Sequence, residues 1–273
     1  MSAVVDNNNN PNAGSLNEQK QDGNRINTVI AVMSGKGGVG KSSVTGLLAS
    51  GLAHSGYRVG ILDADITGPS IPMLFGLHGP VEAGDAGGML PLSSRLGIKV
   101  MSMNLLLENE DQPVIWRGPL ISKAIKQLWE GVEWGELDYL LVDLPPGTSD
   151  AALTIMQSLP LKGVIMVTTP QGLSAMIVNK AVHMAQTVGV PVIGVVENMA
   201  YYSCPDTEKK HFIFGQCHGE SVAKTAQAPL LAQIPLDPTV AELCDAGKVE
   251  NVAIDASLPL IEAFLNSVPK RTM

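Results

Sequence analysis

Gly35, Gly40, Lys41 and Ser42 occupy the four fixed positions of the pattern G-x-x-x-x-G-K-[ST]. Glycines at this spacing let consecutive backbone N–H groups turn toward one concave point, and a helix that starts there aims its positive end at the same point. The chemistry this suits is phosphate binding. Gly35, Lys36, Gly37, Gly38, Val39 and Gly40 form the cradle, Lys41 reaches the β- and γ-phosphates, Ser42 offers its hydroxyl to Mg²⁺, and Ser43 follows into the helix. The plain alternative is a glycine-rich turn with no ligand. The setting argues against it, because the apolar run Val29–Met33 reads as a buried strand, and Val44, Leu47, Leu48 and Leu52 recur at helical spacing from Lys41 to about His54. The expected ligand is a nucleoside triphosphate. Lys36 exceeds the general pattern: a second ammonium beside phosphates stabilises charge that develops in phosphoryl transfer, although a solvated loop lysine is the simpler reading.

Carboxylates must meet the loop if a metal ion is to bind. Two short apolar runs end in acids: YRVGILDAD in Asp63 and Asp65, and LDYLLVD in Asp143. Ligands of open α/β sheets sit at the carboxyl ends of strands, so all three acids are expected beside the phosphates. Asp143 has the position of the acid that holds Mg²⁺, directly or through water. Pro145, Pro146 and Gly147 form a stiff turn after it, and Ser149 reads as the N-cap of the next helix, whose apolar face is Ala152, Ile155, Met156 and Leu159. Arg117, in an irregular stretch with Trp116, is left to a surface or capping role.

The rest of the chain supplies the frame. Its 273 residues are 45% hydrophobic and 16% charged, enough for one large α/β domain. Aromatic residues are 4% of the total, so the core is aliphatic, with twelve Met as fillers. A net charge of −8 without a long basic run argues against a nucleic-acid surface. Three cysteines make no disulfide framework and suit a reducing compartment. No apolar run is long enough to cross a bilayer and no secretory signal is visible, so a cytoplasmic protein is expected. Residues 1–25 are Asn-rich and aperiodic, a tail that cannot bury enough apolar surface to order itself. Residues 26–273 read as one P-loop NTPase domain, α/β in class, with an open, mostly parallel sheet covered by helices on both faces. LPLSSRLGIKVMSMN suggests two short strands, GVIMVTTP and VPVIGVVENM two more, QIPLDP a last one from Gln233, and a cysteine-containing insertion falls at about 199–219.

KGGVGKS resembles the phosphate loop of the MinD/ParA/nitrogenase-iron-protein superfamily, in which a lysine at the place of Lys36 reaches across a nucleotide sandwich dimer. ENM followed by Cys-Pro, the IFG-x-x-x-GE element, TGPSIP, DLPPGTSD and VTTPQ make the chain similar to the Mrp/Nbp/ApbC branch, iron–sulfur cluster carrier ATPases, in its short form; the likeness spans residues 27–268. The resemblance implies slow Mg²⁺-dependent ATP hydrolysis in a homodimer. In it Lys36 and Lys41 act on the transferred phosphoryl group, Asp65 positions water or acts on Mg²⁺, Gly147 senses the γ-phosphate through its N–H, and Asn198 contacts the base. It also implies delivery of a [4Fe–4S] cluster, bridging the dimer, to recipient apo iron–sulfur proteins, with no nucleic acid and no membrane partner.

One departure matters. Such relatives carry Cys-x-x-Cys where this chain reads Cys204-Pro-Asp-Thr207. Two copies then contribute too few thiolates for a cluster, unless Cys217 supplies a second one by folding back. Zinc held by Cys204, His211, Cys217 and His218, or a nucleotide switch that binds no metal, stay open. Cys244, in a helical pattern with Val240 and Leu243, reads as a small core residue. The rival function is a MinD- or ParA-like positioning ATPase. The former would want a basic amphipathic C-terminal helix, which IEAFLNSVPKRTM fits poorly.

Overall fold

The computed structural model describes residues 23–65, 68, 70–85, 87–102, 105, 118–171 and 174–268. Most of the expected tail, residues 1–22, lies outside this set, as do Trp116, Arg117 and Ile66, and Thr67 and Pro69 of TGPSIP. The chain is already built in at Arg25, where the tail was expected to end. There β1 (Arg25–Ser34) pairs with β5 (Glu136–Asp143), and the Asn24 side chain bonds to Val132 O and Gly135 N.

The long apolar runs are explained by burial on two sides. In β1, Val29, Ala31 and Met33 join one core, while Ile30 and Val32 join the other. Val164 and Met166 of β6 (Gly163–Thr168) divide from Ile165 and Val167 in the same way. The first core is roofed by α3 (Gly118–Glu130), α4 (Asp150–Ser158), α5 (Ser174–Val188) and α6 (Gly219–Ala226). The second is roofed by α1 (Lys41–His54), the short α2 (Ile71–Leu74), α7 (Pro238–Asp245) and α8 (Ile254–Ser267). Cys244 is buried there, as expected.

The remaining strands of the main sheet are β2 (Val59–Asp63), β3 (Leu92–Ser93), β4 (Lys99–Ser102), β7 (Val192–Glu197) and β10 (Leu230–Gln233). Their order is β10-β7-β6-β1-β5-β2-β4-β3, parallel throughout except for β3 against β4. This is the open, mostly parallel sheet with helices on both faces that the sequence predicts. The last strand was expected from Gln233 onward; instead Gln233 closes it. A separate antiparallel hairpin, β8 (Tyr202–Ser203) and β9 (Lys210–His211), carries Cys204 at its turn.

Parallel register lines up the strand ends. Asp63 pairs with Asp143 across β2 and β5, and Thr168 with Glu197 across β6 and β7, with Gln233 next. These residues form a polar row at the carboxyl rim of an otherwise apolar sheet, where such folds bind ligands.

Candidate functional site

The phosphate loop leaves the carboxyl end of β1 and enters α1 through Gly40, whose φ of 77° is left-handed. A Cβ there would lie 2.2 Å from Asn198 Nδ2. Both facts require glycine, since the conformation alone costs a side chain about 1–3 kcal/mol. Gly40→Ala is therefore expected to lower the melting temperature and to remove nucleotide binding together. An alanine variant that binds ATP with unchanged affinity would show that the loop does not need this close approach.

Around the loop the acids and hydroxyls converge. Asp143 is fully buried; it accepts hydrogen bonds from Ser42 Oγ at 2.6 Å and Thr45 Oγ1 at 2.8 Å, and lies 2.7 Å from Lys41 Nζ. Lys41 Nζ is also 3.9 Å from Asp65. The Lys41–Asp143 contact is a charge contact without hydrogen-bond alignment, so the buried ammonium has protons with no acceptor among the described residues. Asp143 supplies the counter-charge that this buried cation needs, and the protons left over can be given to a further anion. The donor set (loop N–H groups, Lys41 and the Ser42 hydroxyl beside Asp143) fits a phosphate group with a hard cation. The motif does not single out Thr45. It stands one turn beyond Lys41 on the same face of α1, and that spacing is the signal that could have found it.

Asp63 serves the site from behind. Its carboxylate accepts from the backbone N–H groups of Asp65, Ser70 and Ile71, each at 3.1 Å, and so fixes the turn that presents Asp65. Burial, and then the neighbouring Asp143 charge, push its carboxyl well above the ordinary carboxylate range, to about 8.

The other expected contacts are engaged within the chain. The Gly147 N–H donates to Ser34 O at 3.0 Å. The buried Asn198 donates its side-chain amide to Val39 O at 2.9 Å, so it braces the loop from below. Lys36 Nζ bonds to the exposed Gln171 side chain, in the VTTPQ segment.

The two cysteines of the insertion are placed differently. Cys204 lies at the outer end of the hairpin, its N–H on Lys209 O. The Thr207 side chain, then the backbone N–H groups of Asp206 and Thr207, hold its thiol below the ordinary range. Cys217 lies at the hairpin base with its Sγ 3.5 Å from Ala200 O. Burial, then the Glu197 charge, push its thiol up. Among the described residues no three His, Cys, Asp or Glu side chains converge as a metal site. The zinc arrangement from Cys204, His211, Cys217 and His218 is thus not assembled within one chain. Because the thiolate is the nucleophile, Cys204 should become reactive at lower pH than Cys217 when alkylation is followed residue by residue by mass spectrometry. Cys217 leading at every pH would refute this placement.

A glycine-lined loop between a central parallel strand and a helix, with a buried acid on the adjacent strand end, defines a P-loop nucleotide-binding protein. The family described as "ParA: NUBPL iron-transfer P-loop NTPase" matches residues 25–269, and the chain belongs to it. An iron–sulfur cluster carrier protein of Clostridium perfringens is 48% identical over 240 residues, 85% of this chain and 84% of that protein. A solved nucleotide-binding protein from Archaeoglobus fulgidus, in complex with ADP, superposes with a TM-score of 0.76 at 44% identity over 90% of this chain and 93% of its own. The cell-division ATPase MinD of Pyrococcus furiosus shares the fold, with a TM-score of 0.65 at 20% identity over 88% of this chain and 98% of its own. Among the described residues no helix is long and apolar enough to cross a membrane.

Proposed function

We propose that this chain is a nucleotide-gated carrier of iron–sulfur clusters that works as a homodimer in the cytoplasm and hands its cargo to recipient apo iron–sulfur proteins. The observation that carries the proposal is the position of Cys204: a thiol tuned toward its metal-binding form, on a hairpin that leaves the same strand end as Asn198, which touches the phosphate loop. The family and the names of its relatives support the same reading.

In the nucleotide site, Ser42 and Asp143 are the residues that would hold Mg²⁺, which supplies charge neutralisation to the β- and γ-phosphates. Gly35 through Ser43 bind the phosphates, and Lys41 meets the negative charge that grows on them. Asp65, held by the Asp63 turn, orients the attacking water. Lys36 is free to serve the partner's phosphates once it leaves Gln171. Gly147 can report the γ-phosphate only by exchanging its bond to Ser34, which makes that turn a switch. Asn198 meets the base only if its amide gives up Val39. Turnover is slow, because the output is a change of shape and not product.

Cys204 contributes one thiolate from each copy, two in all, to a shared [4Fe–4S] cluster. Cys217 can complete the set only by leaving Ala200 and the Glu197 carboxylate. Anaerobic reconstitution of the purified protein, with iron and sulfide counted and the visible absorbance recorded with and without ATP, tests the proposal. A protein that takes up no cluster under either condition, yet binds ATP and dimerises, would instead be a positioning switch of the MinD or ParA kind.

A further inference from the structure

Four consecutive residues, Glu197 to Ala200, touch both the phosphate loop and the base of the cysteine hairpin. Glu197 ends β7 and is fully buried. Its Oε1 accepts from the N–H groups of His218 at 2.7 Å and Gly219 at 2.9 Å, and its Oε2 accepts from Gln233 Nε2 at 2.7 Å. Three donors satisfy a carboxylate that would otherwise be costly to bury, and they tie α6 and β10 to the end of β7. Gly219 has to be glycine here, because a Cβ would come within 2.9 Å of the same carboxylate. Asn198 bonds to Val39 in the phosphate loop. Met199 is in the left-handed region at φ 55°, unusual for its type, and its methyl lies 3.5 Å from where a Gly40 Cβ would be. Ala200 receives Cys217 Sγ on its carbonyl and bonds through its N–H to Ile234 O.

The strand therefore ends in an alternation. Asn198 and Met199 meet the loop, while Glu197 and Ala200 meet the residue 217–219 corner. A contiguous set of bonds this short leaves little slack, and a strained backbone in its middle persists only while its surroundings hold it. We propose that Glu197 is a positioning residue that couples occupancy of the phosphate loop to the exposure of Cys217. Nucleotide takes over the Asn198 amide from Val39 and so fixes Asn198 and with it Ala200, and Glu197 carries the restraint to His218 and Gly219, which follow the thiol in the chain. The proposal rests on the nucleotide-gated carrier reading and names the residues through which the gate acts.

The test uses full-length protein without cluster. Modification of Cys217 by N-ethylmaleimide is followed by peptide mass spectrometry with and without saturating Mg-ATP, and binding is verified by a separate titration. Nucleotide is expected to slow modification by about fivefold or more. In Glu197→Gln the ratio should fall to about one while ATP affinity stays unchanged. A wild-type rate indifferent to bound nucleotide overturns the proposal without any variant. So does a Glu197→Gln protein that melts earlier yet keeps the wild-type ratio, since that is a purely structural role. If Glu197→Gln does not fold, Gln233→Met, which removes only the donor to Oε2, is judged by the same two outcomes. Cluster uptake is scored separately. Coupling without iron uptake sinks the carrier reading alone, and iron uptake with Cys217 indifferent to nucleotide sinks the coupling alone.

Discussion

Alanine in place of Lys36 lowers ATP turnover by about 10³-fold, near 4 kcal/mol of transition-state stabilisation, and leaves ATP affinity almost unchanged. The expectation follows from where the side chain is. Lys41 is buried against Asp143 inside its own site, whereas Lys36 points to Gln171 on the exposed rim. An ammonium that does not pack into its own cradle contributes little to ground-state binding. It can contribute much to a neighbouring molecule's phosphates as charge develops. Loss of Lys41, by contrast, should weaken both binding and turnover. Mixing separates the cases. A Lys36→Ala chain combined with excess Lys41→Ala chain regains turnover if the residue 36 amine acts on the partner, because the mixed dimer then has one complete site. Mixtures that stay inactive despite verified dimer exchange would place Lys36 in its own site, and the face-to-face arrangement would be lost.

The second large effect is at Cys204. Cys204→Ala should reduce reconstituted iron and sulfide to background, because no other described side chain near the hairpin turn offers a thiolate, while ATP binding is untouched. Serine is not a rescue, since a hydroxyl is a poor iron ligand at neutral pH. Cys217→Ala is the informative partner. If it also loses the cluster, the hairpin base must open for loading, and the Cys217 bond to Ala200 is a closed form of the same site. If it keeps the cluster, Cys217 is not among its ligands. Iron content unchanged in Cys204→Ala would remove the cluster from this hairpin altogether.

The parts of the molecule legible in its sequence are those governed by local chemistry or by strong periodicity. Gly40, Lys41 and Ser42 read as a phosphate loop because the spacing is the mechanism. Asp143 read as a metal acid because four apolar residues run straight into it. Ser149 does cap α4, accepting from the Ala152 N–H at 3.4 Å. What stayed hidden depends on distant partners. α2 spans four residues with Pro72 among them, too few for periodicity, and its first turn is held by Asp63 from another element. α6 begins with Gly-Glu-Ser, an undistinguished start, and its leading N–H group is met by Glu197 on β7. Glu197 went unnoticed inside a strand expected to end at Asn198, since nothing in VVEN tells that its carboxylate is buried. The shift of β10 to end at Gln233 has the same origin: its register against β7 is set by the Gln233–Glu197 pairing, not by the residues that follow.

The outermost strands bear on how two molecules could meet. β3 has two residues and runs against its neighbour, and β10 at the far side has four. Flanks so short offer few free amides and carbonyls for a second sheet to zip onto. The homodimer proposed above would therefore use the end that bears Asp143, Lys36 and the hairpin, where contact between copies would close a finite pair, and not lateral growth into ribbons.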